Sequence, residues 1–188
     1  MIATATSLLP RIEPEADPIV LARDHGYHPG MYLDALEFLE EEREGWRPFE
    51  ALDGLTDAQL DAEINGAHGW TGRDLVSHLV AWQASATEVA KELAVGPDSP
   101  TKARLDAEWA ARGDPINEDI RQEWRALPMA EVRRRLRTVP GELRGYLTVV
   151  PEARWVKHPD YLRFFLDETI DHYTDHLADL EAVLSEAR

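Results

Sequence analysis

Apolar residues recur at spacings of three and four along most of the chain, which is the pattern of amphipathic helices. Few runs of β-branched residues alternate with polar ones, so strands are not expected. The three clearest helical stretches are predicted over residues 29 to about 46, 72 to about 95, and 161 to about 185. In the first of them the apolar stripe includes Leu36 and Leu39, and Glu42 is assigned to the polar face.

Residues that favour helix ends support these boundaries. Thr71 is predicted to be the N-cap of the second long helix, and Asp74, three residues later, completes a capping box with Asp in place of Glu. Gly96 and Pro97 are expected to end that helix. Asp160 is predicted to be the N-cap of the last helix.

The intervening chain is also predicted to be helical. A short helix is expected after Thr56, and longer ones over about 100–112, 115–127 and 128–150. Pro140 lies inside the last of these and is expected to kink or split it, because proline lacks the amide hydrogen that the helix needs.

The predicted fold is therefore all-α, with four long helices forming a four-helix bundle and extra short helices between them. The chain has 188 residues, of which 44% are hydrophobic, enough for one domain with a real core. Residues 1–28 contain three prolines and no clear period, so we expect an extended N-terminal arm. Residues 29–188 form the predicted domain.

The charge and the missing cysteines exclude several functions. The formal net charge is −16, which repels phosphate backbones, so no nucleic-acid partner is expected. Without cysteine there are no disulfides, thiolate nucleophiles or cysteine-ligated zinc sites. No apolar run reaches the ~18 residues of a transmembrane helix, and the N-terminus does not resemble a signal peptide. We therefore expect no membrane partner and a cytoplasmic location.

Three histidines are candidates for one site. His172 and His176 lie one helical turn apart in the last helix, at the edge of its apolar stripe. His78 lies on the buried side of the second helix, beside Leu79. If the two helices face each other, the three imidazoles can reach one point.

Such an arrangement suits a metal ion. Neutral imidazole is a good ligand for zinc, nickel, copper or iron, and three histidines leave positions open for water or substrate. Asp171, Asp175 and Glu168 are candidates to orient the rings or to add an oxygen ligand. The alternative is that the histidines are hydrogen-bonded polar groups of the core, because a single HxxxH pair is weak evidence for metal binding.

Other residues are less specific. His68, in the loop before the second helix, is either a gating or basic residue or an ordinary exposed one. His25, His28 and His158 are not expected to be ligands. Trp82, one turn beyond His78, is expected in the core, with a role as pocket wall as the alternative.

Two stretches resemble the DinB-like superfamily, which includes the mycothiol-dependent maleylpyruvate isomerase group. They are WTGRDLVSHLVAW, over residues 70–82, and DHYTDHL, over residues 171–177. The resemblance extends over about residues 29–186. It implies an up-down-down-up four-helix bundle with a divalent metal, and it places His78, His172 and His176 at the family's three ligand positions.

The resemblance implies a metal-dependent enzyme without fixing its reaction. Some relatives use a low-molecular-weight thiol as cosubstrate, and the metal would hold this thiol as a thiolate. Alternatively, the metal would activate a water molecule for hydrolysis. A carboxylate-bearing thiol would need a basic pocket. Candidates for it, which are alternatively a solvated basic face, are Arg133, Arg134, Arg135, Arg137 and Arg144.

Partners follow from the same considerations. We expect a small-molecule substrate and a homodimer. A different class of function is a non-catalytic bundle that binds or sequesters a small compound, and a third is a structural dimer in which the histidines are only core residues.

Overall fold

The computed structural model describes residues 32–64 and 69–188, and every regular element within them is a helix. The α-helices are α1 (Ala35–Trp46), α2 (Asp57–Leu60), α3 (Gly72–Val95), α4 (Pro100–Arg112), α5 (Pro115–Arg125), α6 (Met129–Leu147), α7 (Pro159–Glu168), α8 (Ile170–Asp175) and α9 (Leu177–Glu186), and 3-10 turns span Arg47–Gly54 and Glu152–Arg154. The all-α class is thus confirmed. The four-helix arrangement and the division at residue 28 stay predictions, and the predicted arm lies outside the described residues.

The first helix begins later than predicted. Asp34 has extended backbone angles, and its carboxylate accepts a 3.0 Å hydrogen bond from the amide of Glu37, so α1 starts at Ala35. The predicted stripe was also partly wrong, because Leu36 is 67% exposed while Glu42 is fully buried. The buried face of α1 is rotated toward Glu42 because that carboxylate has buried partners.

The second long helix, α3, begins as predicted. The Thr71 hydroxyl accepts from the amide of Asp74, and the Asp74 carboxylate accepts from the amide of Thr71. The capping box is therefore confirmed, and the helix ends at Val95 before Gly96. α3 is the central element, with α5 and α6 packed along it.

A glycine lets other elements approach the start of α3. A Cβ atom at Gly72 would lie 3.0 Å from a methyl group of Val183 and 3.1 Å from one of Leu60. The absence of a side chain therefore brings α9 and α2 close to the end of α3 that precedes His78.

The single helix predicted over residues 161 to about 185 is divided into three helices in the structure, α7, α8 and α9. The chain leaves helical geometry at Thr169, with φ −133° and ψ −95°, and again at His176, with φ −105° and ψ 8°. The Thr169 hydroxyl donates to the carbonyl of Phe165, and such a bond to the preceding turn bends helices. The predicted N-cap was also wrong: α7 follows His158, and Asp160 lies in its first turn.

The middle helices agree more closely with the prediction. The Ser99 hydroxyl caps α4 by accepting from the amide of Lys102, and Gly113, with φ 58°, ends it. The helix α6 contains the buried Pro140 but is not split by it, since the helix continues to Leu147. No helix in residues 32–64 and 69–188 is long and apolar enough to cross a membrane.

Candidate metal centre

The three predicted histidines converge. The Nε2 atoms of His78 and His172 lie 2.7 Å apart, and one ring nitrogen from each of the three histidines lies within 4.8 Å of the others. The ring centroids are 4.6 Å apart for His78 and His172, 4.8 Å for His78 and His176, and 5.1 Å for His172 and His176. The site lies between the first half of α3 and the junction of α8 and α9.

A buried hydrogen-bond network fixes the turn that carries His172. The neighbouring Tyr173 hydroxyl donates to Glu42 Oε1 at 2.8 Å and accepts from Gln83 Nε2 at 2.6 Å. Arg144 donates to the other carboxylate oxygen of Glu42 at 3.0 Å. Side chains from α1, α3, α6 and α8 thus meet at one point, and the network holds α8 against α3.

Burial keeps the facing pair of imidazoles neutral. Burial, together with the neighbouring imidazoles, lowers the pKa of His78 to about 2, and burial with the neighbouring His176 imidazole lowers the pKa of His172 to about 3. Neutral imidazole is the form that ligates a metal, because protonation occupies the lone pair. These two rings therefore stay neutral throughout the neutral pH range.

The third ring has a carboxylate partner. Asp179 Oδ2 lies 2.7 Å from His176 Nδ1, and Asp179 is 4% exposed. The Nδ1 atoms of His78 and His172 are buried and have no hydrogen-bond partner. Among the three, His176 is the ring whose outward-facing nitrogen has a carboxylate partner, while the backbone of Glu168, one turn before His172, raises the pKa of His172 against the effect of burial.

Trp70 covers part of the cluster. Its ring stacks on His176 at a centroid distance of 5.5 Å and an interplanar angle of 21°, and it contacts the His78 ring at 4.9 Å. The indole thus shields two of the three imidazoles on one side. This role was not predicted from the sequence, although the tryptophan directly precedes the N-cap of α3.

The residues fit a first-row transition metal. Three imidazole nitrogens face one space, and no carboxylate belongs to the group of mutually close ligand atoms within residues 32–64 and 69–188. Nitrogens bound to zinc in a tetrahedral site lie roughly 3.3 Å apart, since each bond is ~2.0–2.1 Å long. The 2.7 Å separation of the His78 and His172 nitrogens is about 0.6 Å shorter than this spacing, so a metal would need to part these two rings.

The comparison with protein families agrees with this geometry. Residues 40–182 match the family described as the mycothiol maleylpyruvate isomerase N-terminal domain, a DinB-like domain. The chain belongs to this family. The matched region contains all three histidines and most of the helices that position them. No curated protein and no solved structure matches the chain significantly.

The carboxylates predicted to support this DinB-like site are outside the group of mutually close ligand atoms. Asp175 is exposed, and Asp171 lies 3.5 Å from the Arg163 guanidinium. Glu168, one turn before His172, has its pKa raised to about 8 by burial, with the charge of Asp167 adding to the effect. None of the three predicted carboxylates joins the ligand group.

The basic residues predicted for a thiol pocket pair with acidic groups of the DinB-like domain. Arg133 and Arg137 bond Asp57 and Asp53, and Arg134 and Arg135 both bond Glu131. The pairs with Glu131 lie within α6, whereas the pairs with Asp53 and Asp57 join α6 to the segment that follows α1. These contacts agree with the alternative interpretation, in which the arginines serve structure and solvation.

The remaining predicted residues are placed as follows. Trp82 is 7% exposed, donates a 3.0 Å hydrogen bond to Asn117, and packs edge-on against Trp109, which is a core role. His158 precedes α7, beside Tyr161, and does not belong to the histidine cluster. The other histidines, at positions 25, 28 and 68, lie outside the described residues.

Proposed function

We propose that the chain binds one divalent transition metal, such as zinc, nickel or iron, through His78, His172 and His176, and that it acts as a metal-dependent enzyme on a small molecule. The observation that carries the proposal is the convergence of three ring nitrogens within 4.8 Å. The low pKa values of His78 and His172 support it, because these rings stay neutral.

The protein side of the reaction is to hold and shield the metal. A metal bound by three histidines supplies Lewis acidity at its open positions, where it lowers the pKa of a bound water or thiol. The three imidazoles set the geometry, and Trp70 excludes water from one side. The network around Tyr173 keeps His172 opposite His78.

Two reactions use this arrangement, namely hydrolysis and thiol S-transfer. The family description names mycothiol, which favours a low-molecular-weight thiol as cosubstrate. The pairing of the α6 arginines with carboxylates removes the support they gave to a pocket for a carboxylate-bearing thiol. Thiol transfer is the leading candidate, and its support is the family description. Hydrolysis is the second candidate. A non-catalytic small-molecule binder is the alternative from another class.

Metal analysis of protein purified without a histidine tag tests the site. We expect about one metal ion per chain by elemental mass spectrometry, and loss of most of it in His172→Ala. His158→Ala is the matched control, because this histidine lies outside the cluster, and it should retain the metal. A metal-free wild type with no affinity for zinc, nickel or iron would falsify the metal site.

Activity assays then separate the candidate functions. Consumption of a thiol with an electrophilic substrate, dependent on the metal and abolished by His172→Ala, supports S-transfer. Metal-dependent cleavage of an ester or amide without a thiol supports hydrolysis. A protein that binds metal and small molecules but turns over neither kind of substrate is a binder. The expected homodimer is tested separately by light scattering during gel filtration.

A further inference from the structure

The three histidines of the cluster differ in what holds their outward-facing nitrogen. His176 Nδ1 lies 2.7 Å from the Asp179 carboxylate, while the Nδ1 atoms of His78 and His172 are buried without a hydrogen-bond partner. A carboxylate oxygen accepts but does not donate, so the Nδ1 atom of His176 must carry the proton. The lone pair of a neutral His176 ring is then on Nε2.

The same reasoning gives a different result for the other two rings. Their Nε2 atoms face each other at 2.7 Å, so in the metal-free protein one of them donates a hydrogen bond and the other accepts it. The donating ring carries its proton on the nitrogen that a metal would need. That proton must move to Nδ1 before both rings can bind a metal, whereas His176 needs no such change.

On this basis we propose that Asp179 is a positioning residue that presets the tautomer and orientation of His176 for metal binding, an inference that rests on the proposed function. The carboxylate acts through the imidazole and contacts no substrate. Hydrogen bonds from a ligating histidine to a carboxylate fix the ring and increase its basicity, and their loss typically weakens metal binding by about 10- to 100-fold.

The backbone is arranged for this contact. His176 lies at the break between α8 and α9, and Asp179 is in the first turn of α9, three residues later. Residues at this spacing share a face of a helix. A carboxylate in the first turn also interacts favourably with the helix dipole, which favours an acidic residue at this position. The close approach of Val183 to Gly72 holds α9 against the start of α3.

The variant that tests the inference is Asp179→Asn, which keeps the size of the side chain and removes its charge. Asp175→Asn is the matched control, because it removes the same charge next to His176 from an exposed side chain. Zinc affinity is measured by competition with a chromophoric chelator. We expect Asp179→Asn to bind zinc about 10- to 100-fold more weakly than the wild type and Asp175→Asn to stay within about twofold of it.

A second measurement uses the metal-free protein and is independent of the proposed function. Long-range ¹H–¹⁵N correlation spectra distinguish the two neutral tautomers of an imidazole. We expect the Nδ1–H form for His176 in the wild type and in Asp175→Asn, and a mixture or the Nε2–H form in Asp179→Asn. These spectra also report whether the variant is folded.

The possible outcomes separate the two ideas. Wild-type His176 in the Nε2–H form, or zinc affinity unchanged in Asp179→Asn, overturns the positioning role. Equal loss of zinc affinity in both variants also overturns it, because charge alone would then explain the effect. Absence of zinc binding in the wild type, with the Nδ1–H tautomer held by Asp179, overturns the proposed metal function while the tautomer assignment stands.

Discussion

The hydroxyl of Tyr173 donates a 2.8 Å hydrogen bond to Glu42 Oε1, although the two residues are 131 positions apart and both are buried. This contact joins α1 to the short helix that carries His172. Burial raises the pKa of Glu42 above its usual 4.5, while the Arg144 and Tyr173 hydrogen bonds oppose that shift. The position of one candidate ligand therefore depends on a polar network in the core.

Removal of the Tyr173 hydroxyl should destabilise the fold. In Tyr173→Phe the buried Glu42 and Gln83 side chains each lose a partner, and leaving buried polar groups unpaired costs about 1–3 kcal/mol. Urea denaturation of the metal-free protein measures the difference. The control is Tyr146→Phe, because Tyr146 is 38% exposed, and we expect a change of less than about 0.5 kcal/mol there. Equal stability of Tyr173→Phe and the wild type would contradict the role of the network.

The contribution of Asp74 to stability should depend on pH. Burial raises the pKa of Asp74, but hydrogen bonds from Arg125 and Thr71 outweigh it and leave the pKa below 3.8. A carboxylate with a lowered folded pKa stabilises the protein above its unfolded pKa, and this contribution is lost as the pH falls through the folded value.

Asp74→Asn should therefore lower the free energy of unfolding by about 2 kcal/mol at pH 7, because charged hydrogen bonds and a helix cap are lost. The gap between the variant and the wild type should shrink as the pH falls below about 4. Denaturation at a series of pH values measures it. The exposed carboxylate of Asp61, which lies 3.5 Å from Arg73, provides the control, and Asp61→Asn should change stability little at any pH. A gap that stays constant down to acid pH would refute the assignment.

Local patterns predicted part of this structure from the sequence. The Thr71 and Asp74 capping box needs only a spacing of three residues, and it was found as expected. The position of His78 on the buried side of α3 was predicted from the spacing of the apolar residues around it. The proximity of His172 and His176 was predicted because residues four positions apart lie one helical turn apart. Each of these inferences depends on neighbours in the sequence, so no tertiary information was needed.

Features that depend on distant partners were missed. Nothing near Glu42 marks it as buried, because Tyr173 and Arg144 lie more than 100 residues away. Asp179 has a local signal, since it follows His176 by three residues, but several acidic residues in the same segment have similar spacings. The chain breaks at Thr169 and His176 could not be predicted from periodicity. Without them, the exposure of Asp175 and the contact of Asp179 with His176 could not be predicted either.

The close contact at Gly72 predicts opposite effects of two alanine substitutions. In Gly72→Ala the new Cβ atom would meet Val183 at 3.0 Å and Leu60 at 3.1 Å, and we expect a loss of about 1 kcal/mol from overpacking. Gly141 lies within α6, and an added Cβ would meet no described heavy atom within 4 Å apart from its chain neighbours and the nearby backbone of its own helix, so Gly141→Ala should stabilise by about 0.5–1 kcal/mol. Thermal and urea unfolding measure both. Stabilisation by Gly72→Ala would show that α9 is not held against α3 as described.

Zinc should stabilise the protein only when the cluster is intact. A ligand that binds the folded state alone, present at about a hundredfold excess over its dissociation constant, raises the free energy of unfolding by about 2.7 kcal/mol. We expect this gain for the wild type and its reversal by a chelator. His78→Ala should lose most of the gain, because one of the three converging nitrogens is removed, whereas His158→Ala should retain it. Denaturation curves with zinc and with chelator, recorded for each protein, measure the gain directly and separate it from any change in the stability of the metal-free state. An equal gain for His78→Ala and the wild type would place the zinc outside the cluster.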